Sequence, residues 1–193
     1  MPKPDQTQLD YRSPLVLDTR DLPRRPGLSR AVERVVQAPE GLGVELIGVD
    51  QGTPVELNLL IEMLSEGVLV RGTARTEMTG ECGRCLGEIT DQIEVPIEEL
   101  FVFPDSLVDQ TSEEDEVARL HGDLIDLEPL IRDSVVLALP TNPVCRPDCP
   151  GLCPECGGAY DDLPADHHHD QVDSRWAALK RLAQPNDQTN PAR

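Results

Sequence analysis

The sequence predicts an α+β protein, mostly antiparallel β, built as a barrel-like or curved sheet with one packed helix and a C-terminal Cys-rich appendage. Three observations predict it. Apolar side chains recur at every second position through residues 42–103, the period of a strand with one buried face. Leu127, Leu130, Ile131 and Val135 follow helical spacing. All six cysteines fall in two short stretches, Cys82–Cys85 and Cys145–Cys156.

Residues 1–12 are polar and Pro-containing and are expected to form a flexible tail. The β-rich core is expected over 13–140, opening with Leu15-Val16-Leu17, a short apolar run suited to a sheet edge. Leu57, Leu59, Ile61 and Met63 make one strand row, and Ser65-Glu66-Gly67 supplies the hairpin turn to a second row, Val68, Val70, Gly72, Ala74 and Met78. A third row holds Ile89, Ile93, Val95, Ile97, Phe101 and Phe103. Its Pro96 removes a ladder donor, which calls for an edge position or a bulge. Residues 104–123, with Glu113-Glu114-Asp115-Glu116 at their centre, read as an acidic, solvated insertion. Asp126 can cap the helix, Pro129 is tolerated in its first turn, and Pro140 ends it. The run Val135-Val136-Leu137-Ala138-Leu139, apolar all round, calls for deep packing on the sheet. A Cys-rich segment at 141–160 follows. Residues 161–193 then make an acidic loop, a short helix capped by Asp173 and carrying Trp176, Leu179 and Leu182, and a flexible tail. Trp176 reads as a packing anchor of that helix.

With 36 acidic and 17 basic side chains the chain carries a formal charge of −19. Such a charge repels nucleic acid and anionic membrane at long range, so any RNA contact must be local. No stretch is apolar enough to span a membrane, and the N-terminus lacks the apolar core of a signal peptide, so a cytoplasmic location is expected. Thiols persist there, and closely spaced cysteines are then better explained by metal than by disulfides.

A Cys-x2-Cys loop followed by small residues can turn backbone N–H groups toward its sulfurs, and tetrahedral zinc accepts two sulfurs from each of two such loops. Two arrangements compete for a structural Zn2+. In the leading one, Cys145, Cys149, Cys153 and Cys156 form a local site, making the C-terminal segment a zinc-binding appendage. In the alternative, Cys82 and Cys85 pair across the chain with two of those four. A catalytic zinc keeps an open position, and a Cys nucleophile needs an activating base. Nothing in the sequence pairs a His with a Cys in that way, so no enzyme and no small-molecule substrate are expected. His167-His168-His169-Asp170 reads as a solvated loop, because adjacent residues seldom point at one ion. Arg20, Arg24, Arg25, Arg30 and Arg34, in the one stretch of positive balance, and Arg84 in the cysteine turn are the candidates for an RNA or partner contact.

Three stretches together resemble the YceD family, the large ribosomal RNA subunit accumulation proteins. They are Cys82-Gly83-Arg84-Cys85-Leu86; Gly122-Asp123-Leu124-Ile125-Asp126-Leu127-Glu128-Pro129-Leu130-Ile131 leading through Val135-Val136-Leu137-Ala138-Leu139-Pro140; and the Cys145–Gly157 block with Gly151-Leu152-Cys153-Pro154-Glu155-Cys156-Gly157. The resemblance implies that 13–140 is a YceD-like domain of a bacterial ribosome biogenesis factor. Its role would be non-catalytic support of accumulation or processing of large-subunit, 23S-type ribosomal RNA. It also implies that metal supports the fold rather than performing the shared function. Partners would be the large-subunit RNA precursor or a basic ribosomal protein, the latter suited to the acidic surface. The alternative is a zinc-stapled interaction or regulatory module unrelated to the ribosome.

Overall fold

The computed structural model describes residues 9–104, 106–111, 117–169 and 175. The chain divides into two compact units, one ending at Cys149 and one starting at Pro150. The elements of the first are β1 (Val16–Asp18), β2 (Ser29–Gln37), β3 (Leu42–Val44), β4 (Ile47–Val49), β5 (Pro54–Met63), β6 (Gly67–Glu81), β7 (Glu88–Val102), a short α1 (Leu107–Thr111), β8 (Leu124–Asp126) and α2 (Glu128–Ala138).

β6 is the spine of a six-stranded antiparallel sheet. Along one side it pairs with β7 over its whole length, from Gly67↔Val102 to Glu81↔Glu88. On its other side Val68–Thr76 pair with β5 and Thr79–Gly80 with β4. β2 lies outside β5, and β3 outside β4. The three period-two rows expected from the sequence are β5, β6 and β7. Ser65-Glu66-Gly67 is the turn between the first two, closed by the Leu64 N–H donating to Gly67 O at 2.8 Å. Pro96 lies on an edge strand: among the described residues β7 has a ladder with β6 alone.

Of the two expected forms, barrel-like or curved sheet, the barrel does not form. β2 and β7 share no ladder among the described residues, and the sheet stays open. Two other elements cover its apolar face and make closure unnecessary. β1 pairs not with the sheet edge but with β8 in a two-stranded ribbon, Leu17 opposite Ile125, and α2 lies against β7 and β3. Leu17, Ile125, Leu127, Ile131 and Val135 from ribbon and helix join Val55, Leu57, Ile61, Val68, Val70, Val95 and Ile97 from the strands in one buried cluster. At roughly 1.5–3 kcal/mol for each large aliphatic side chain withdrawn from water, this cluster dominates the stability of the unit.

The N-cap is Leu127, which makes no side-chain cap bond; Asp126 stands one residue before it, its Oδ1 accepting the Glu128 N–H at 3.0 Å, and Pro129 occupies the first turn, where no intrahelical donor is lost. Deep burial of the second half of α2 is not observed. Val135 and Leu139 are buried, but Leu137 is 85% exposed, because a helix lying on one sheet buries a single stripe. The insertion at 104–123 is not uniformly loop. It contains α1, and Leu120 returns to the sheet through a backbone bond to Val102 O. Its acidic centre at 113–116 lies outside the described residues. The same holds for residues 1–8 of the expected tail, and for the C-terminal helix with Asp173, Trp176, Leu179 and Leu182.

Candidate metal centre

The loop of the β6–β7 hairpin is the first cysteine stretch. Strand pairing runs to Glu81↔Glu88, so the six residues between must reverse the chain. They do so with the Cys82 N–H donating to Gly87 O at 2.8 Å and the Leu86 N–H to Cys82 O at 2.9 Å. Leu86 takes a left-handed φ of 58°, a conformation that costs an L-residue about 1–2 kcal/mol. The reversal turns the Arg84 N–H onto Cys82 Sγ at 3.4 Å, the arrangement expected of a thiolate loop.

After α2 the chain returns to this loop. Gly83 N–H donates to Pro143 O at 2.8 Å, and a Cβ at Gly83 would stand 2.8 Å from Asn142 Oδ1, so a larger residue there would displace the Asn142 side chain. The Arg84 guanidinium reaches over the returning segment, Nη1 donating to Cys149 O at 3.1 Å and Pro147 O at 3.3 Å. These contacts bring Cys145 and Cys149 onto Cys82 and Cys85, and the four sulfurs all lie within 4.8 Å of one another.

Cys82 Sγ is 3.8 Å from Cys149 Sγ, and Cys85 Sγ is 3.8 Å from Cys145 Sγ. A disulfide needs about 2.05 Å. Four sulfurs at about 2.3 Å from a central ion stand about 3.8 Å apart along each tetrahedron edge, so the spacing fits a tetrahedral metal and not a crosslink. Cys82 and Cys149 are buried, Cys85 is half-buried and Cys145 exposed. Backbone N–H groups of Cys145 and Cys85 pull the Cys82 thiol down to about 6, whereas hydrogen bonding to Cys149, together with burial, pushes Cys145 up to about 12. Gathering four thiolates here therefore calls for a compensating divalent charge. The group can hold a metal ion.

The local set of Cys145, Cys149, Cys153 and Cys156 is not assembled. Cys145 and Cys149 belong to the cross-chain group with Cys82 and Cys85, while Cys153 and Cys156 gather with His167 and His169 in the second unit. Backbone bonds from the hairpin loop to the segment after α2 commit the first pair. Nor is the histidine run simply solvated. His167 and His169 face Cys153 and Cys156, and only His168 turns away, its Nδ1 2.8 Å from Asp166 O. Alternate residues of an extended segment face the same way, and that H-x-H spacing was the available signal.

Most of the candidate arginines are engaged within the protein. Arg20 pairs with Asp18. Arg24 pairs with Asp123 at 2.8 Å and lies 4.7 Å over the Phe103 ring. Arg30 pairs with Asp21 and donates to Asp18 O at 3.0 Å, and Arg34 donates to Pro14 O at 2.7 Å. Arg84 holds the metal-site loop. Among the described residues Arg25 alone of the six has an unpaired guanidinium. The open sheet face has the opposite character, with exposed Glu33, Glu56, Glu77, Glu94 and Glu98 around Arg71 and Arg75. No described helix is long and apolar enough to cross a membrane.

Residues 70–183 match the family model described as large ribosomal RNA subunit accumulation protein YceD. The chain is 48% identical over 182 residues to an uncharacterized protein of Mycobacterium tuberculosis, covering 94% of this chain and 87% of the relative. It is 41% identical over 179 residues to one of Mycobacterium leprae, covering 93% and 82%. To the uncharacterized protein YlbN of Bacillus subtilis it is 27% identical over 138 residues, covering 71% and 78%. No solved structure matches significantly. The matched segment contains all but the first three residues of the β6–β7 hairpin, together with α2 and every cysteine, and on that extent of similarity the chain belongs to the YceD family.

Proposed function

We propose that this protein is a non-catalytic factor supporting accumulation of large-subunit ribosomal RNA, and that it acts by engaging a basic ribosomal protein. The observation that carries the ribosomal link is the family match over residues 70–183. The choice of partner rests on charge. A net −19 and a glutamate-rich open sheet face suit a Lys- and Arg-rich protein, which needs shielding before it meets RNA. Binding to phosphate instead consumes local cations, and the arginines available for it are mostly spent on internal carboxylates and carbonyls.

In this reading Zn2+ sits at Cys82, Cys85, Cys145 and Cys149 as scaffolding. Four thiolates fill a tetrahedral shell, leaving no position for substrate or activated water. The ion fastens the segment after α2 to the β6–β7 loop, adding to the hydrogen bonds that already join these two parts of the chain.

Two measurements test the proposal. In a strain lacking the gene, large-subunit particles should fall and precursor RNA accumulate; normal profiles would favour an interaction module without a ribosomal role. In pull-downs, capture of a ribosomal protein should survive RNase and weaken as salt rises. Capture abolished by RNase would refute direct protein recognition.

A further inference from the structure

Residues 150–169 hold a defined shape, and no buried apolar cluster accompanies it among the described residues. None of them belongs to the buried hydrophobic cluster, yet backbone bonds fix their path: Tyr160 N–H to Gly151 O at 3.0 Å, Asp162 N–H to Ala159 O at 2.9 Å, and His167 N–H to Pro164 O at 2.9 Å. A segment this short cannot be ordered by burial alone and needs a crosslink or an ion.

The segment repeats the turn of the first cysteine loop. Cys153 N–H donates to Gly158 O and Gly157 N–H to Cys153 O, both at 2.8 Å. The residue after the second cysteine is again left-handed, Gly157 at 71° where the first loop has Leu86 at 58°. Here the other half of the shell is imidazole. Cys156 Sγ lies 3.6 Å from His167 Nε2, the edge expected between a sulfur at about 2.3 Å and a nitrogen at about 2.0–2.1 Å from a tetrahedral ion. His169 Nε2 is buried with no hydrogen-bond partner, while its Nδ1 is 3.9 Å from Glu155 Oε2. A buried ring nitrogen without a partner is costly unless it meets a ligand, and a carboxylate on the far side of the ring is the usual orienting partner of a metal-bound histidine. All four ligand atoms lie within 4.8 Å of one another.

We propose that Cys153, Cys156, His167 and His169 form a second Zn2+ site, so that the chain carries two structural ions, and that this one folds the C-terminal unit. All four ligand atoms close around a single point, which favours one tetrahedral zinc over a Rieske-type two-iron cluster, whose two cysteines and two histidines sit on different irons. With both cysteines bound as thiolates and both imidazoles neutral, the ion's two positive charges are balanced and the centre is neutral. This site is independent of any ribosomal role.

The test is metal counting by native mass spectrometry and elemental analysis on the full chain, with Co2+ substitution as a spectroscopic readout. Wild type should bind two ions. Cys153→Ser and the double variant His167→Gln/His169→Gln should each bind one, and His168→Gln should keep two. In the Cys82→Ser variant the remaining Co2+ should give tetrahedral bands with weaker sulfur charge transfer than the ion left in Cys153→Ser, reflecting two thiolates rather than four. Each remaining spectrum also shows that the other site has folded. Two ions retained by Cys153→Ser or by the double histidine variant would overturn the proposal, as would a single ion in wild type that survives Cys153→Ser.

Discussion

Replacing Arg84 by Ala removes no metal ligand, yet it should weaken the first site by a predictable amount. The guanidinium donates to Cys149 O at 3.1 Å and Pro147 O at 3.3 Å, carbonyls of the segment that carries two ligands. Charged hydrogen bonds contribute about 1.5–3 kcal/mol each when well formed. These two are long and the side chain is exposed, so together they are worth about 1–2 kcal/mol. They exist only while the segment lies on the hairpin loop, so their loss appears as a fall in zinc affinity of about 5- to 30-fold. The Arg84 backbone N–H on Cys82 Sγ is unaffected, so stoichiometry should not change. Chelator competition in a Cys153→Ser background reads this site by itself, and Arg84→Lys, with a point charge in place of the fork, should fall between wild type and Ala. An unchanged affinity would refute the clamp. Complete loss of the ion, as for a ligand variant, would show that Arg84 is needed to build the site rather than to close it.

Ile61→Ala, at a position on β5 with no exposure, should lower stability in urea by about 2–5 kcal/mol, while the folded variant keeps the metal content of wild type. Asp18 is held down at about 2 chiefly by the Arg20 hydrogen bond. A depressed folded-state value means that the carboxylate contributes stability above the unfolded value near 4, and loses it as pH falls from about 4 toward 2. Asp18→Asn should flatten that part of the acid limb in a pH series of unfolding curves and leave stability near pH 7 only slightly lower, because the pair is exposed.

The strands were legible where every second residue is aliphatic, as in Leu57, Leu59, Ile61 and Met63. β2 was not, because its inward face alternates Arg30, Val32, Arg34 and Val36. The two arginines replace burial with bonds to Asp18 O and Pro14 O, and periodicity of hydrophobicity cannot register that. Leu15-Val16-Leu17 signalled a strand but not its partner, since a three-residue strand has too little pattern to choose between a sheet edge and Leu124–Asp126. That the cysteines would gather into groups able to hold a metal ion was readable from Cys-x2-Cys spacing. Which thiols share an ion depends on where the chain returns after α2, a matter of Gly83, Arg84 and Pro143 rather than of sequence distance. Nearness along the chain favoured Cys145 through Cys156, and treating His167 and His169 as neighbours concealed that alternate residues share a face.

Whether sulfurs from the β6–β7 loop and from the segment after α2 share one ion is decided by zinc content in Cys85→Ser, Cys145→Ser and their double variant. Each single variant should lose one ion relative to wild type, and the double variant the same one and no more. Full metal content in Cys85→Ser alongside a loss in Cys145→Ser would contradict a shared ion, because a site confined to the C-terminal cysteines has no use for the hairpin loop.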